Sequence, residues 1–252
     1  MPFPDYASEA LQSDVIVHQP SKLQPSRCLL LYENLATFPI QTLYFLNSPT
    51  MSGIAGGLID FSSNTLYFSA LAIAFNPTFW NLVARSEYHN KTLTRLFNGN
   101  SLRACYILAI TIFSLGLFRD ALYERVLRTQ PYLPALYHPY LAYILLAIGN
   151  TLVLTSYYAL GITGTFLGDY FGILMDEPVT GFPFNITSAP MYWGSTMSFL
   201  GTALLYGRPA GVLLTLEVYL VYKAALRFED PFTSEIYAKR ERERKEKVKK
   251  AM

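Results

Sequence analysis

The chain has 252 residues, 52% of them apolar and 15% charged, where a soluble domain carries about 25% charged residues. Residues 61–84, 104–118, 129–168 and 178–207 contain no Asp, Glu, Lys or Arg, and a membrane-spanning helix needs roughly 20 predominantly apolar residues. This excludes a soluble globular protein and identifies a polytopic membrane protein. The net charge of +2 hides a split: eight Lys or Arg against three Glu put Ala238–Met252 at +5 and the rest of the chain at −3. A basic tail after a membrane segment reads as a cytosolic end facing lipid headgroups, which leaves nucleic acid a poor second reading.

Residues 1–50 hold six of the fifteen prolines and no apolar run long enough to span. They read as a disordered extension without a signal peptide, and Met51 could serve as the functional start. The segment 61–84 is long enough to cross, but Asn76-Pro77 interrupts it, and proline removes a backbone donor. A re-entrant or interfacial helix fits it at least as well as a straight span. Residues 98–118 form the next helix, with Arg103 snorkelling at one end and Arg119 closing the other. A polar connection then carries Asp120, Glu124, Arg125 and Arg128. Residues 140–163 make the cleanest span. Cys105 sits in an apolar run as core packing; with Cys28 it makes no disulfide framework.

The stretch 164–189 mixes Gly164, Gly168, Gly172 and Gly181 with Asp169, Asp176 and Glu177. Irregular, acidic chain at membrane depth usually lines a site. Two matched apolar stretches follow, Pro190–Tyr206 and Gly211–Phe228, joined by Gly207-Arg208-Pro209-Ala210. At about 1.5 Å rise per residue each covers about 26 Å, so they read as an antiparallel helical hairpin. Its open ends bring Pro190, Tyr192 and Gly194 close to Glu229 and Asp230. With the tail cytosolic, 85–103 is cytosolic and 119–139 lumenal. Reading 178–207 as a non-spanning lumenal region reverses both loops, and the Lys/Arg counts of the two loops hardly separate these topologies.

The strings GTFLGDYFGILMDEPVTGFPFNITSAPMYWGS (Gly164–Ser195), FEDPFTSEIY (Phe228–Tyr237) and FNPTFWNLVAR (Phe75–Arg85) resemble the phospholipid methyltransferases. These enzymes convert phosphatidylethanolamine or its methylated forms to phosphatidylcholine with S-adenosylmethionine. The resemblance runs from about Met51 to Tyr237 and implies a membrane methyltransferase domain over 51–237, followed by a basic tail over 238–252. More distantly, Pro190-Met191-Tyr192-Trp193-Gly194, a hairpin and Glu229-Asp230 are similar to the isoprenylcysteine carboxyl methyltransferase-like membrane enzymes. The implied fold is an all-α membrane bundle with a C-terminal helical hairpin.

For the cofactor, S-adenosylmethionine, the resemblance implies two elements. A G-x-G falls on Ala147-Ile148-Gly149, where Ala147 replaces the first glycine; an acidic pair falls on Glu229 and Asp230. The wider likeness adds Pro190, Tyr192 and Gly194. A lone glycine within a span is more often there for close helix packing. Carboxylates suit the ammonium and ribose diol of such a donor, because charge-assisted hydrogen bonds are the strong ones. A helix C-terminus disfavours negative charge, so ending a helix does not explain the acidic pair. The acceptor amine must lose its proton before it attacks, and Asp169, Asp176 and Glu177 are the candidate bases. Asp169 ranks first because Phe166, Leu167, Tyr170 and Phe171 surround it. Tyr170, Phe171, Tyr192 and Trp193 offer cation–π faces, although most rings in such a chain are interfacial. His18, His89 and His138 have no metal spacing.

The expected function is methylation of phosphatidyl-N-methylethanolamine and phosphatidyl-N,N-dimethylethanolamine to phosphatidylcholine, the phospholipid partner coming from the bilayer. The alternatives are all three methylations from phosphatidylethanolamine, another lipid-borne acceptor such as an isoprenylcysteine carboxylate, and a non-enzymatic membrane protein. A transporter would show repeated hydropathy halves, and none is seen. Lys249-Lys250-Ala251-Met252 resembles a dilysine retrieval signal. It agrees with an endoplasmic reticulum membrane and a cytosolic C-terminus, with a mitochondrial membrane as the second location.

Overall fold

Each long charge-poor run contains an α-helix in the structure, a computed structural model that describes residues 57–251. These residues belong to one unit, Met51–Met252; the expected extension 1–50, the start at Met51, Cys28 and His18 lie outside them. The helices are α1 (Asn64–Asn90), α2 (Thr92–Leu96), α3 (Ser101–Thr129), α4 (Pro139–Thr165), α5 (Pro190–Tyr206) and α6 (Pro209–Ala251). Short 3₁₀ turns sit at Pro134–Leu136 and Gly168–Phe171. No strand occurs among the described residues. Four of these helices, α1, α3, α4 and α6, are long and apolar enough to cross a membrane. Phe68, Leu71, Ile110, Phe118 and Ile144 point outward and exposed, as lipid-facing side chains do.

Local chemistry sets the helix ends. Asp60 accepts from the Ser62 hydroxyl (2.6 Å) and amide (2.9 Å) just before α1; these bonds hold its carboxyl below the usual carboxylate range. Glu87, fully buried, accepts from the Leu93 and Thr94 amides at the start of α2 and from the Thr94 hydroxyl. Asn100 caps α3 by accepting from the Arg103 amide at 2.9 Å. Between α5 and α6, Gly207 has φ 60°, and a Cβ there would come within 2.5 Å of the Tyr132 ring. Both conditions call for glycine.

The connections gather at two ends of the bundle. At one, Asp60 and Gln130 exchange two hydrogen bonds of 2.9 Å, and the Leu133 amide donates to Gly207 at the hairpin turn (2.9 Å). At the other lie the α1–α3 connection, the segment 166–189 and the outer half of α6. Arg85 donates there to the Phe228 carbonyl (2.9 Å), and Arg240 donates to the carbonyls of Met175 (2.6 Å) and Asp176 (2.8 Å). The loops 85–103 and 130–138 are therefore at opposite ends, the relative arrangement that the hairpin requires.

Four expectations change. Helix α1 runs unbroken through Pro77; the Thr78 hydroxyl donates to Ala74 (2.8 Å) and the Asn81 amide to Pro77 (3.0 Å), so side chains stabilise the loosened turn. The polar stretch Asp120–Arg128 is the last part of α3. Arg119 does not close a helix at the surface. It is buried, paired with Asp120 at 2.7 Å, bonded to the Tyr222 hydroxyl at 2.7 Å and set over the Phe199 ring. Finally, the last span does not stop at Phe228. Helix α6 continues through Pro231, with Arg85 occupying the Phe228 carbonyl beside the proline.

The α4–α5 contact is the closest in the bundle. A Cβ on Gly149 would stand 2.5 Å from the Gly194 carbonyl oxygen, one on Gly194 2.5 Å from the Gly149 oxygen, and one on Gly201 2.9 Å from the Ala142 oxygen. Small residues let helix backbones approach in this way. Gly116 in α3, by contrast, has nothing within 4 Å of its would-be Cβ. Gly194→Ala should therefore cost about 2–3 kcal/mol, whereas Gly116→Ala should gain about 0.5–1 kcal/mol. Thermal unfolding of the purified protein in detergent should show the first midpoint falling and the second rising.

Candidate functional site

The Glu229 carboxylate joins three helices. Its Oε1 accepts from Trp80 Nε1 (2.8 Å) and Asn81 Nδ2 (2.7 Å) on α1, and its Oε2 accepts from the Tyr192 hydroxyl (2.5 Å) on α5. The hairpin thus closes as its equal arms imply. Because α6 continues outward, the acidic pair divides around the helix: Glu229 turns into the bundle, while Asp230 is exposed and has no hydrogen bond or ion pair among the described residues.

One turn further along α6, the Thr233 hydroxyl donates to Asp169 Oδ2 at 2.8 Å, and the Tyr170 amide donates to Oδ1 at 3.1 Å. Asp169 lies in the 3₁₀ turn, between the buried Gly168 and Tyr170. Tyr170 stacks on Phe232 with ring centroids 4.5 Å apart, and Phe171 joins the core of Ala84, Ala104, Cys105 and Leu108. Arg85 covers Phe232 at 5.2 Å. Asp169 and Glu229 are therefore held on adjacent turns of one helix face.

Comparison with known proteins bears on this end of the bundle directly. The phospholipid methyltransferase family model matches residues 137–240, which include Asp169, Tyr192 and Glu229. The phosphatidyl-N-methylethanolamine N-methyltransferase of Neurospora crassa is 69% identical, over 74% of this chain and 88% of that relative. The Saccharomyces cerevisiae protein of the same name is 52% identical, over 74% and 92%. The phosphatidylethanolamine N-methyltransferase of Homo sapiens is 46% identical, over 72% and 92%. The chain belongs to the phospholipid methyltransferase family. It is a membrane methyltransferase of phospholipid biosynthesis. No solved structure matches it.

The remaining candidates of this family member divide. Pro190 is buried at the first turn of α5 and starts the helix that carries Tyr192. Gly194 and Gly149 meet backbone to backbone. Ala147 and Ile148 lie on the exposed face of α4. Of this tripeptide only Gly149 packs against α5. Asp176 and Glu177 are exposed, and it is the Asp176 carbonyl, not its carboxylate, that Arg240 holds. Nothing in the structure explains Glu217, half-buried on α6. No cluster of His, Cys, Asp or Glu among the described residues could hold a metal.

Trp80, Asn81, Tyr222 and Thr233 were not assigned to the site from the sequence, although the first two and Thr233 lie in strings that carry the resemblance. For two of them a signal existed: 222, 226, 229 and 233 share one helical face at the 3.6-residue period. Tyr222 receives Arg119 at its hydroxyl, lies 3.3 Å from Ser195 Oγ, and packs its ring 4.8 Å from that of Tyr192.

Replacing Glu229 by Ala strands two donors, Trp80 Nε1 and the Tyr192 hydroxyl, and leaves Asn81 Nδ2 with the Pro77 carbonyl alone; a buried polar group without a partner costs about 1–3 kcal/mol. Glu229→Ala should lose roughly 3 kcal/mol, and Glu229→Gln, which keeps an acceptor oxygen, about 1 kcal/mol. The measurement is the unfolding midpoint without added ligand. Equal midpoints for the two variants would show that Glu229 does not tie the helices together.

Proposed function

We propose that this enzyme methylates phosphatidyl-N-methylethanolamine and phosphatidyl-N,N-dimethylethanolamine to phosphatidylcholine, with S-adenosylmethionine as donor. The observation that carries the reading is the junction at Glu229, where the hairpin and α1 meet beside Asp169. The compared relatives named for the monomethylated lipid are more similar than the one named for phosphatidylethanolamine, which favours the later methylations over all three. The likeness to isoprenylcysteine carboxyl methyltransferases belongs to the same proposal and rests on the Pro190–Gly194 segment and the acidic pair.

The polar groups left over at this end suit a cationic donor. Asn81 Oδ1 is buried without a partner, as is the Tyr170 hydroxyl, and the Asp230 carboxylate is unpaired and exposed. Acceptors beside carboxylates match a ligand that brings an ammonium, a sulfonium and a ribose diol. Asp230 and Asn81 Oδ1 would take its hydrogen bonds, with Glu229 holding Asn81 and Tyr192 in place. When bound, the sulfonium supplies an electrophilic methyl carbon.

The protein's own residues then have two tasks. The acceptor amine is protonated near neutral pH if its pKa resembles that of lysine, about 10, so a base must take its proton. Asp169 suits this role: Thr233 and the Tyr170 amide orient it, and the turn keeps it half-buried next to aromatic rings. The second task is alignment, which helices perform better than loops; Tyr192, Glu229 and Thr233 all sit on helices, close to the reacting end. The phospholipid enters from the bilayer. The basic charge of 238–252 favours a cytosolic Glu229 end and an endoplasmic reticulum membrane, a mitochondrial one being the second location.

Microsomes carrying the enzyme, labelled donor and each of the three amine lipids test the reading. Transfer to the mono- and dimethylated lipids is expected; transfer to none rejects the function, and equal transfer to all three makes it the three-step enzyme. Asp169→Asn should lower kcat about a hundredfold while donor binding persists, whereas Asp176→Asn and Glu177→Gln should change it little. For topology, the native sequons at Asn90 and Asn185 should stay unglycosylated, and a sequon introduced within 131–138 should be modified.

A further inference from the structure

On the flank of the hairpin, α5 and α6 leave an open groove lined by Tyr192, Trp193, Tyr219, Tyr222 and Lys223, among others. Lys223 is an ionisable group within a span, which makes it a functional candidate by default. Its side chain is exposed on the flank of the span. It turns back over the Tyr219 ring, 5.8 Å from the centroid, and has no carboxylate partner among the described residues. A lysine at this depth is costly to leave unpaired, and a ring face supplies only part of what water or an anion would. Trp193 and Tyr219 lie 5.8 Å apart and form the apolar walls beside it.

The groove leads to the Glu229 junction. Tyr192 belongs to both, lining the groove with its ring while its hydroxyl bonds Glu229. Along α6, Lys223 comes six residues before Glu229, about 9 Å of helix rise. From Pro209 to Lys223 is about 21 Å and from Pro209 to Glu229 about 30 Å, against a hydrocarbon core of about 30 Å. The lysine backbone is therefore about 9 Å inside the edge of the apolar layer, within snorkelling reach of it, and the carboxylate is at its rim. A bilayer phospholipid has the same order along the membrane normal: acyl chains innermost, then phosphate, then the amine outermost.

We infer that this groove seats the phosphodiester of the acceptor phospholipid, with Lys223 as its counter-ion, so that the amine is directed outward to the Tyr192–Glu229 junction. The inference rests on the proposed lipid-methylating function. It assigns the anionic part of the substrate, which is common to every methylation state, to a residue away from the reacting atoms. The lysine thereby sets the depth and direction of the headgroup, while successive methyl groups are added at a constant position.

The test uses the full-length enzyme in detergent micelles without donor. Phosphatidyl-N-methylethanolamine is titrated in and followed by tryptophan fluorescence, since one of the chain's two tryptophans, Trp193, lines the groove. Lys223→Met should weaken lipid binding about tenfold, Lys223→Arg should restore most of it, and diacylglycerol, which lacks the phosphate, should bind wild type no better than the Met variant. In the transfer assay the lipid KM should rise by the same factor, while the donor KM and kcat at saturating lipid hold. Unchanged lipid affinity in Lys223→Met, or a variant whose donor KM rises equally, overturns the inference. A wild type that binds the lipid with these preferences but transfers no methyl group instead overturns the proposed function.

Discussion

A single carboxylate sets the working end of this protein. Glu229 accepts from two residues of α1 and one of α5, elements separated from it in sequence by up to 149 positions. In a bundle whose helices gain little from the hydrophobic effect within lipid, polar contacts of this kind and close backbone packing hold the arrangement. Both operate here in series. The glycines of α4 and α5 bring those helices together, α5 presents Tyr192, and the carboxylate then draws in α1. Loss of the close packing would displace Tyr192 even with every polar residue intact.

Prolines lie on both sides of this junction. Pro77 precedes Trp80 by one turn, and Pro231 follows Glu229 at once. Each leaves a carbonyl of the preceding turn without its usual donor, and in each case side chains bond the loosened backbone: Thr78 and Asn81 around Pro77, Arg85 at Phe228. Asn81 belongs to both systems, since its amide bonds Pro77 as well as Glu229.

Much of the helical layout was legible in the sequence, because charge-free runs of span length have few other uses. The meeting of Tyr192 with Glu229 was legible too, from two apolar arms of equal length around a Gly-Arg-Pro turn. The break expected at Asn76-Pro77 was not found: a local rule about proline takes no account of side chains that stabilise the turn. Arg119 was misread for a related reason, since one of the groups it bonds besides the adjacent Asp120, the Tyr222 hydroxyl, is 103 positions away. Trp80 and Asn81 carry no periodic signature; only the fold shows that they face α6. Thr233 and Tyr222 could have been found from their spacing to Glu229.

Helix α6 also acts as a ruler. It is one continuous rod from the hairpin turn to Ala251, and it carries Lys223, Glu229, Thr233 and Arg240 at fixed intervals. A single residue inserted between Lys223 and Glu229 would rotate everything beyond it by about 100°, turning the carboxylate, the threonine and the arginine away from their partners together. The length of this rod between lipid and water cannot change by one residue without dismantling the outer end.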